Sequence, residues 1–223
     1  MSQKNQYKTK YQIIYADPPW SYNDTQKAGG TVYFGASVRY NTMSNSEILK
    51  LPIRDLSDEN CVLFLWATSP LLPEAIETIK AWGFRFKTIA FCWNKQSKNG
   101  KWISNMGRWT MGNIELCLLA TKGKPKRICK NIKQLIIAKR KRHSEKPQEA
   151  RNRIVQLMGD LPRIELFARQ KTEGWDIIEG KDNADGTGND IKEWIEKNYG
   201  NNTKNLNLTE IQKQEEKPEE KNE

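Results

Sequence analysis

Runs of apolar residues recur along the chain, and polar segments separate them. Several runs are apolar almost throughout, a pattern typical of strands that a sheet buries on both faces. We therefore predict five strands: Gln12–Ala16, Cys61–Ala67, Lys87–Trp93, Ile114–Ala120 and Arg163–Ala168.

Helical periodicity occupies segments between these runs. In Leu72–Trp82 apolar residues recur every three or four positions, and Gly83 marks the end of the helix. Ser44–Leu51 opens with capping residues, Pro147–Met158 opens with a proline suited to a first helical turn, and Ile191–Tyr199 is a last short helix. This alternation predicts an α/β fold with a doubly wound, mostly parallel sheet, whose site lies at the carboxyl ends of the strands.

Three stretches are predicted as loops: Ser21–Asn41, Asn94–Thr110 and Lys122–Lys146. Within the third, Ile132 and Leu135–Ile137 are compatible with a helical turn. Long loops in a compact domain tend to be functional or mobile. We expect one domain over residues 1–200 and a polar, disordered tail over 201–223.

Composition limits the class of protein. The chain has 223 residues, 37% of them hydrophobic and 29% charged, which suits one well-buried domain and is short for two. No apolar run approaches the roughly 18 residues of a membrane span, and residues 1–10 lack the apolar core of a signal peptide. The four cysteines show no metal-ligand spacing and favour reduced thiols over zinc or disulfides. We therefore expect a cytoplasmic protein with no metal site and no membrane contact.

The net charge of +10 is unevenly distributed. Lys122–Lys146 holds eleven Lys and Arg against a single acid, Glu145, and so carries a net +10 by itself. Such clustering is typical of a protein that binds a polyanion, and a solvated lysine-rich loop is the alternative. We predict that this segment contacts nucleic acid. Its candidate substrate-binding residues are Lys139, Arg140, Lys141 and Arg142.

The first predicted strand leads into the sequence Asp17-Pro18-Pro19-Trp20. A carboxylate and a peptide carbonyl at this point can accept hydrogen bonds from the exocyclic amine of a base. The prolines fix φ and remove backbone donors, so that the carbonyl can point outward, and the indole offers a stacking face. These four residues are therefore candidate catalytic residues, and an ordinary turn is the alternative.

Further motifs follow along the chain: Leu63–Thr68, Gly107–Trp109, Glu115–Leu119, His143–Pro147, Arg163–Arg169 and Gly174–Asp176. Together with the motif at Asp17, this succession resembles the MT-A family of adenine-N(6) methyltransferases, and most closely its small bacterial and phage members. The resemblance implies a Rossmann-like fold of the permuted class I methyltransferase type, with S-adenosyl-L-methionine as cofactor. It also implies a bacterial or phage-encoded enzyme that methylates the N(6) amine of adenine in DNA.

The resemblance assigns cofactor contacts to four residues. Lys146 would meet the carboxylate of S-adenosylmethionine, and Asp17 would lie near its amino group. Phe167 would flank the adenine or ribose, and Arg169 would contact the ribose region. The alternatives are that Lys146 is one more lysine of the basic segment and that Arg169 has a surface role.

One segment departs from the family pattern. After Gly-Trp-Asp, small bacterial relatives carry an aromatic residue and then Gly-Asn-Glu, whose asparagine binds the ribose hydroxyls. This chain instead continues from Trp175-Asp176 with Ile177-Ile178-Glu179-Gly180. Asn183 is the candidate substitute for that asparagine.

The remaining candidate substrate contacts are Tyr22, Asn23, Tyr40 and Glu115. Tyr40 and Trp20 are candidates for stacking on the base, with positions in the core as the alternative. Glu115 would either face the pocket or pair with a nearby Arg. In the expected reaction, Asp17 and the Pro18 carbonyl each accept one N–H of the amine, which localises its lone pair and stabilises the positive charge that develops on nitrogen.

Three other functions remain open at this point. The same chemistry could act on RNA, the chain could be a catalytically silent nucleic-acid-binding subunit of a methyltransferase complex, or it could be an unrelated Rossmann-like enzyme. Both Asp17 and Trp20 are present, which favours an active enzyme. On duplex DNA the target base must be flipped out. A homodimer and a methyltransferase-like partner subunit are the candidate assemblies.

Overall fold

The computed structural model describes residues 10–21, 25–28, 31–34, 42–106, 109–141, 145–168, 170–178 and 189–199, with only the backbone of 25–28, 31–34 and 189–190. Its strands are β1 Tyr11–Ala16, β2 Thr25–Ala28, β3 Thr31–Phe34, β4 Ser57–Ala67, β5 Arg85–Gln96, β6 Ile114–Lys122, β7 Leu135–Lys139, β8 Arg163–Leu166 and β9 Asp176–Ile177. Its helices are α1 Asn45–Leu49, α2 Ile53–Leu56, α3 Leu72–Ala81, α4 Gln148–Met158 and α5 Asn189–Tyr199. The predicted tail, 201–223, lies outside the described residues.

Seven strands form one sheet in the order β7-β5-β6-β4-β1-β8-β9. Strand β6 runs antiparallel to both of its neighbours, and every other neighbouring pair is parallel. The predicted α/β fold with a mostly parallel sheet is therefore confirmed. Because β1 lies inside the sheet, the residue that follows it is surrounded by the ends of other strands.

Helices cover both faces of the sheet. Along β4 the side chains of Leu63 and Leu65 pack with α1, α2, α3 and α5, whereas those of Phe64 and Trp66 pack with α4. Successive strand residues point to opposite faces, so a central strand buried by helices on both sides needs apolar residues at nearly every position. This requirement explains the continuous apolar run from which β4 was predicted.

The predicted helices begin and end close to the expected residues. Ser44 and Glu47 form a capping box at the start of α1, each side chain bonded to the backbone of the other. After α3, Gly83 adopts a φ of 81°, which glycine accommodates at low cost. Pro147 precedes α4 as its N-cap residue and so lies just before the first turn in which we predicted it.

All three predicted loops contain strand residues, and in Asn94–Thr110 these are the last three residues of β5. Ser21–Asn41 includes the antiparallel pair β2 and β3, which is separate from the main sheet. In Lys122–Lys146, the helical turn predicted near Leu135 is wrong, because β7 pairs there with β5 as an edge strand. Ile136 is buried against α4 while Leu135 and Ile137 are exposed, an alternation with the period of a strand.

Two features bear on the predicted cellular setting. Within the described residues, no helix is long and apolar enough to cross a membrane. All four cysteines are free thiols, and Cys61 and Cys117 are buried. Burial raises the pKa of Cys61 to about 12, so this thiol is a protonated core residue at neutral pH.

A buried ion pair joins α4 to β8. The Arg151 guanidinium donates to both carboxylate oxygens of Glu165, at 2.7 and 2.5 Å. Burial alone lowers the pKa of Arg151, but these hydrogen bonds outweigh it and raise that pKa. Arg151 also donates to the Lys146 carbonyl at 3.5 Å, and the pair therefore supports the segment that carries Lys146.

Arg151→Met should lower the free energy of unfolding by about 3–5 kcal/mol, because it leaves the Glu165 carboxylate buried without a counter-charge. The matched control is Lys192→Met, which breaks the exposed Lys192–Glu196 pair and should change stability by less than about 1 kcal/mol. Urea titration measures both values. The double variant Arg151→Met/Glu165→Leu should recover much of the loss. Equal losses of stability in Arg151→Met and Lys192→Met would contradict this account.

Candidate active site

The candidate site lies at the carboxyl edge of the sheet, where Asp17 follows β1. Ala16 is the last residue of β1 and pairs with Leu65 on one side and Leu166 on the other. The Asp17 side chain is 23% exposed, so its carboxylate is supported by the sheet and still reaches solvent. We call this edge of the sheet, where β1, β4, β5, β7 and β8 end and β6 begins, the catalytic edge.

Lys146 brings Asp17 into a cluster of four charged side chains. Its ammonium group donates to Asp17 Oδ2 at 2.5 Å and lies 3.4 Å from Glu115 Oε2. Lys95 pairs with the other oxygen of Glu115. The order Lys95–Glu115–Lys146–Asp17 alternates in sign, and we refer to these four residues as the charged cluster.

The strand register explains how Lys95 and Glu115 meet. Strands β5 and β6 are antiparallel, with Trp93 opposite Glu115, and alternate residues share a face of the sheet. Lys95 and Glu115 therefore project on the same side as Trp93 and Cys117, which pack with α4. Lys146 joins them from the segment that leads into α4.

Two buried members of the cluster, Lys146 and Glu115, keep their charges because their partners outweigh the effect of burial. Burial by itself lowers the pKa of Lys146, but the Asp17 and Glu115 carboxylates outweigh it and raise that pKa above its ordinary value. Burial by itself raises the pKa of Glu115, but Lys146 and Lys95 outweigh it and lower that pKa. Lys146 is therefore a cation and Glu115 an anion at neutral pH.

An aromatic layer lies beneath the charged cluster. The Lys146 ammonium lies 5.5 Å from the ring centre of Trp66, a distance at which a cation is attracted to the ring face. The Trp66 indole N–H donates to the Tyr15 hydroxyl at 2.7 Å. Arg151 lies over the Tyr15 ring at 5.3 Å. This buried layer supports the Lys146 ammonium group from the side of the sheet.

The motif Asp17–Trp20 has a defined local geometry. The Pro18 carbonyl accepts a hydrogen bond from the Trp20 amide at 2.8 Å, which forms a tight turn directly after Asp17. Trp20 is only 7% exposed, and its indole N–H donates to the Trp66 carbonyl at 3.0 Å. Its ring packs in the core on the face opposite the charged cluster, and its stacking on a base stays a prediction.

Phe167 lies beside Asp17 at the same edge, because Leu166 and Ala16 are paired. Its φ of 62° is a left-handed conformation, which is strained for a bulky residue and is found most often at functional sites. The turn ends β8 at Leu166, two residues earlier than predicted. The predicted contacts that lie outside the described residues are Tyr22, Asn23, Tyr40, Arg142, Arg169 and Asn183.

The basic segment is divided between the two ends of the sheet. Lys139 ends β7 opposite Gln96 at the end of β5, and the Arg140 amide donates to the Gln96 carbonyl at 2.8 Å. Lys139, Arg140 and Lys141 therefore lie on the catalytic edge, where with Lys98 they line a groove.

The earlier residues of the same segment lie at the opposite end of the sheet. The Lys124 amide donates to Asn60 near the start of β4, and the Ile128 amide donates to Leu157 near the end of α4. The segment thus crosses the molecule before β7 brings it to the catalytic edge.

A comparison with protein-family models agrees with this fold. The model of the MT-A70 family matches residues 11–181. The chain belongs to the MT-A70 family. The predicted resemblance is confirmed, and the matched region contains every described residue of the charged cluster.

Relatives of this MT-A70 chain include proteins of different lengths. The type II methyltransferase M.MunI of a Mycoplasma species is 36% identical over 182 residues, which cover 75% of this chain and 76% of that protein. The N(6)-adenosine-methyltransferase MT-A70-like protein of Drosophila melanogaster and the N(6)-adenosine-methyltransferase catalytic subunit METTL3 of Homo sapiens are each 28% identical over 163 residues. These matches cover 72% of this chain but only 24% and 26% of those proteins.

Sequence reasoning on this MT-A70 chain missed several residues that support the site. Lys95 was not predicted as a site residue, although it comes shortly after an apolar run in the sequence. In the structure it belongs to the charged cluster. Trp66 was noted within a motif, but its contact with Lys146 depends on packing across the sheet. Glu115 was expected to face the pocket or pair with an arginine, and its described partners are two lysines.

Proposed function

We propose that this MT-A70 protein transfers the methyl group of S-adenosyl-L-methionine to the N(6) amine of adenine in DNA. The observation that carries the proposal is the Asp17–Lys146 ion pair at the catalytic edge, with a carboxylate that is still partly exposed. An ionised carboxylate offers about four lone-pair sites on its two oxygens, so Asp17 can keep its present partners and also accept an N–H of an amine.

The charged cluster has the chemistry that the amino-acid end of S-adenosylmethionine needs. That end carries a carboxylate and an ammonium group, and the cluster presents a lysine beside a carboxylate at 2.5 Å. Lys146 would bind the cofactor's carboxylate and Asp17 its ammonium group, with Phe167 beside the adenosine portion. The bound cofactor supplies an electrophilic methyl group on a sulfonium centre.

The protein's own contribution is to orient the amine and stabilise its charge. The nitrogen lone pair of adenine's amine is delocalised into the ring, and Asp17 localises it by accepting an N–H. The same carboxylate stabilises the positive charge that develops on nitrogen. The Pro18 carbonyl already accepts the Trp20 amide, and its second lone pair remains for the other N–H of the amine. Glu115, held ionised by two lysines, is a further acceptor at this edge.

One observation supports DNA in particular, and a second supports a nucleic acid of either kind. The type II methyltransferase of a Mycoplasma species matches over about three quarters of both proteins, whereas the METTL3 relative shares about a quarter of its length. The basic residues on the catalytic edge provide the positive surface that a nucleic-acid backbone requires. The target adenine would turn out of the duplex to reach Asp17.

A competition assay tests the choice of substrate. Purified protein and labelled S-adenosylmethionine are incubated with duplex DNA, single-stranded DNA and RNA of the same sequence, together and separately. The proposal predicts that label enters DNA in preference to RNA. Preferential labelling of RNA would move the function to RNA methylation, and absence of label from all three would contradict methyl transfer to nucleic acid.

Replacing Lys139, Arg140 and Lys141 together with glutamine should weaken DNA binding at all sequences and reduce its salt dependence. Each lost phosphate contact should lower the slope of log affinity against log salt by about 0.9 on duplex DNA. Affinity for S-adenosylmethionine should stay the same, because these residues lie outside the charged cluster. Fluorescence anisotropy over a salt series provides the slope.

The basic segment offers its own control. Lys124, Lys126 and Arg127 are exposed and lie in the part of the segment at the opposite end of the sheet. Changing them to glutamine removes the same charge, and we expect the slope to change little. Equal slopes for the two triple variants would show that DNA binding depends on the net charge of the protein and not on the basic residues at the catalytic edge.

A further inference from the structure

The connection between β5 and β6 carries an exposed group of large apolar side chains. Trp109 is 97% exposed and Met106 81%, and Trp102 and Met111 are also mostly exposed. Large apolar side chains that are exposed together on one segment make that segment a candidate for an interaction site. We call residues 97–113 the β5–β6 arm, of which 107 and 108 lie outside the described residues.

Backbone hydrogen bonds hold the arm in an extended, paired form. The Ile103 amide donates to the Lys95 carbonyl at 3.0 Å. Farther out, Asn105 and Gly112 exchange two backbone hydrogen bonds, at 2.7 and 2.9 Å. Residues 97–101 form a turn that brings Trp102 opposite Gln96. The separate pairing of Asn105 with Gly112 closes a second loop, and Trp109 lies between these two residues in the chain.

The arm stands at the catalytic edge. Strand β6 begins at Ile114, next to Glu115 of the charged cluster. Lys98 and Lys101 lie along the arm, and Arg140 is bonded to Gln96 at its base. The arm therefore carries cations near its base as well as large exposed apolar side chains.

This combination of charge and apolar surface matches a nucleic-acid duplex. Phosphates lie on the outside of a duplex and stacked bases in its interior, so a partner needs cations at the border and an apolar or aromatic group at the tip. A protein interface also has an apolar centre and a polar rim, but the arm stands at the edge of the sheet on which the proposed function places the DNA. The groove lined by Lys98 and Lys139 lies beside the arm and would take the backbone.

We propose that the β5–β6 arm enters the base stack of the duplex beside the target adenine, with Trp109 occupying the space that the base leaves when it turns out. The inference rests on the proposed function, since it takes an adenine in a duplex as the target. Stacking of the indole on the neighbouring bases would offset the stacking lost by the flipped base. Trp109 is a positioning residue, because it acts through the DNA and not on the reacting amine.

The test compares three variants on three oligonucleotides that carry a sequence found to be methylated in bulk DNA. The oligonucleotides are a matched duplex, a duplex with an abasic position opposite the target adenine, and the single strand. Trp109→Ala should lower kcat/KM at least tenfold on the matched duplex and much less on the other two, because their adenine is already unpaired. Trp109→Phe keeps an aromatic ring and should retain most activity. Ile128→Ala, at an exposed apolar residue far from the catalytic edge, is the control and should match the wild type.

The possible outcomes separate this inference from the proposed function. Equal activity of Trp109→Ala and wild type on the matched duplex would overturn the inference. An equal loss on all three oligonucleotides would also overturn it, and a matching shift from dimer to monomer in sedimentation would identify the arm as a protein interface. If the wild type labels no substrate, the proposed function fails. Anisotropy on a duplex of arbitrary sequence, with and without one abasic position opposite an adenine, then decides the role of the arm. Weaker binding of Trp109→Ala to the intact duplex alone is the supporting result, and equal weakening on both duplexes or on neither is the contrary one.

Discussion

Replacing Asp17 with alanine abolishes methyl transfer in our account while the protein stays folded. The substitution removes the acceptor for the amine and the negative charge that stabilises the developing cation. Loss of a single hydrogen bond to a developing charge typically costs 10²–10³ in kcat, or about 2.7–4 kcal/mol, and this range is the minimum we expect. Steady-state kinetics on the preferred nucleic acid measures the loss.

Asp17→Asn separates charge from hydrogen bonding. Asparagine keeps one acceptor oxygen but carries no charge, so its kcat should lie between those of the wild type and the alanine variant. The fold should survive in both, because Lys146 retains Glu115 as a partner, and thermal unfolding checks this. Near-wild-type turnover by a folded Asp17→Ala protein would show that Asp17 takes no part in the reaction.

The second large effect concerns Lys146. Lys146→Met keeps most of the side-chain volume but removes the only cation that contacts both Asp17 and Glu115 among the described residues. The Kd for S-adenosylmethionine should rise at least tenfold, or about 1.4 kcal/mol, whereas DNA affinity should change little. Isothermal titration with each ligand gives the two affinities. An unchanged cofactor Kd would show that the cofactor binds elsewhere.

The same variant should be unstable in a pH-dependent way. Removing the cation from a buried pair costs about 3–5 kcal/mol. In the wild type the lowered pKa of Glu115 stabilises the fold above its ordinary value of 4.5, and this contribution is lost as the pH falls through the folded value. In Lys146→Met most of that contribution is already absent. The difference in unfolding free energy between the wild type and this variant should therefore shrink as the pH drops below 4.5. Urea titrations from pH 7 down to about pH 3 would reveal it, and a constant difference would contradict the assigned role of the pair.

Much of the sheet could be predicted from the sequence because the central strands are apolar on both faces. Strand β4 is the clearest case, since burial by helices on both sides leaves no position for a polar residue between Cys61 and Ala67. Edge strand β7 was missed because only one of its faces is buried and basic residues surround it. Its alternating burial around Ile136 was a readable signal, but three adjacent aliphatic residues also fit a helical turn.

The site was predictable where chemistry is local and unpredictable where it depends on register. Asp17 could be identified from the residues that follow it, and Lys146 from its place before a helix. The contact of Lys95 with Glu115 arises from the pairing of Trp93 with Glu115 across a long connection, which the sequence does not encode in a readable form. Phe167 shows the same limit, because its positive φ occurs without a glycine or asparagine to indicate it.

The most direct test of the proposed function identifies the modified nucleoside. DNA labelled by the wild-type protein is digested, and its nucleosides are separated and identified by mass spectrometry, with Asp17→Asn as the parallel control. Our account predicts that the label is found in N(6)-methyladenine and falls sharply with the variant. Label in a methylated cytosine, or equal yields of methyladenine from the two proteins, would contradict it.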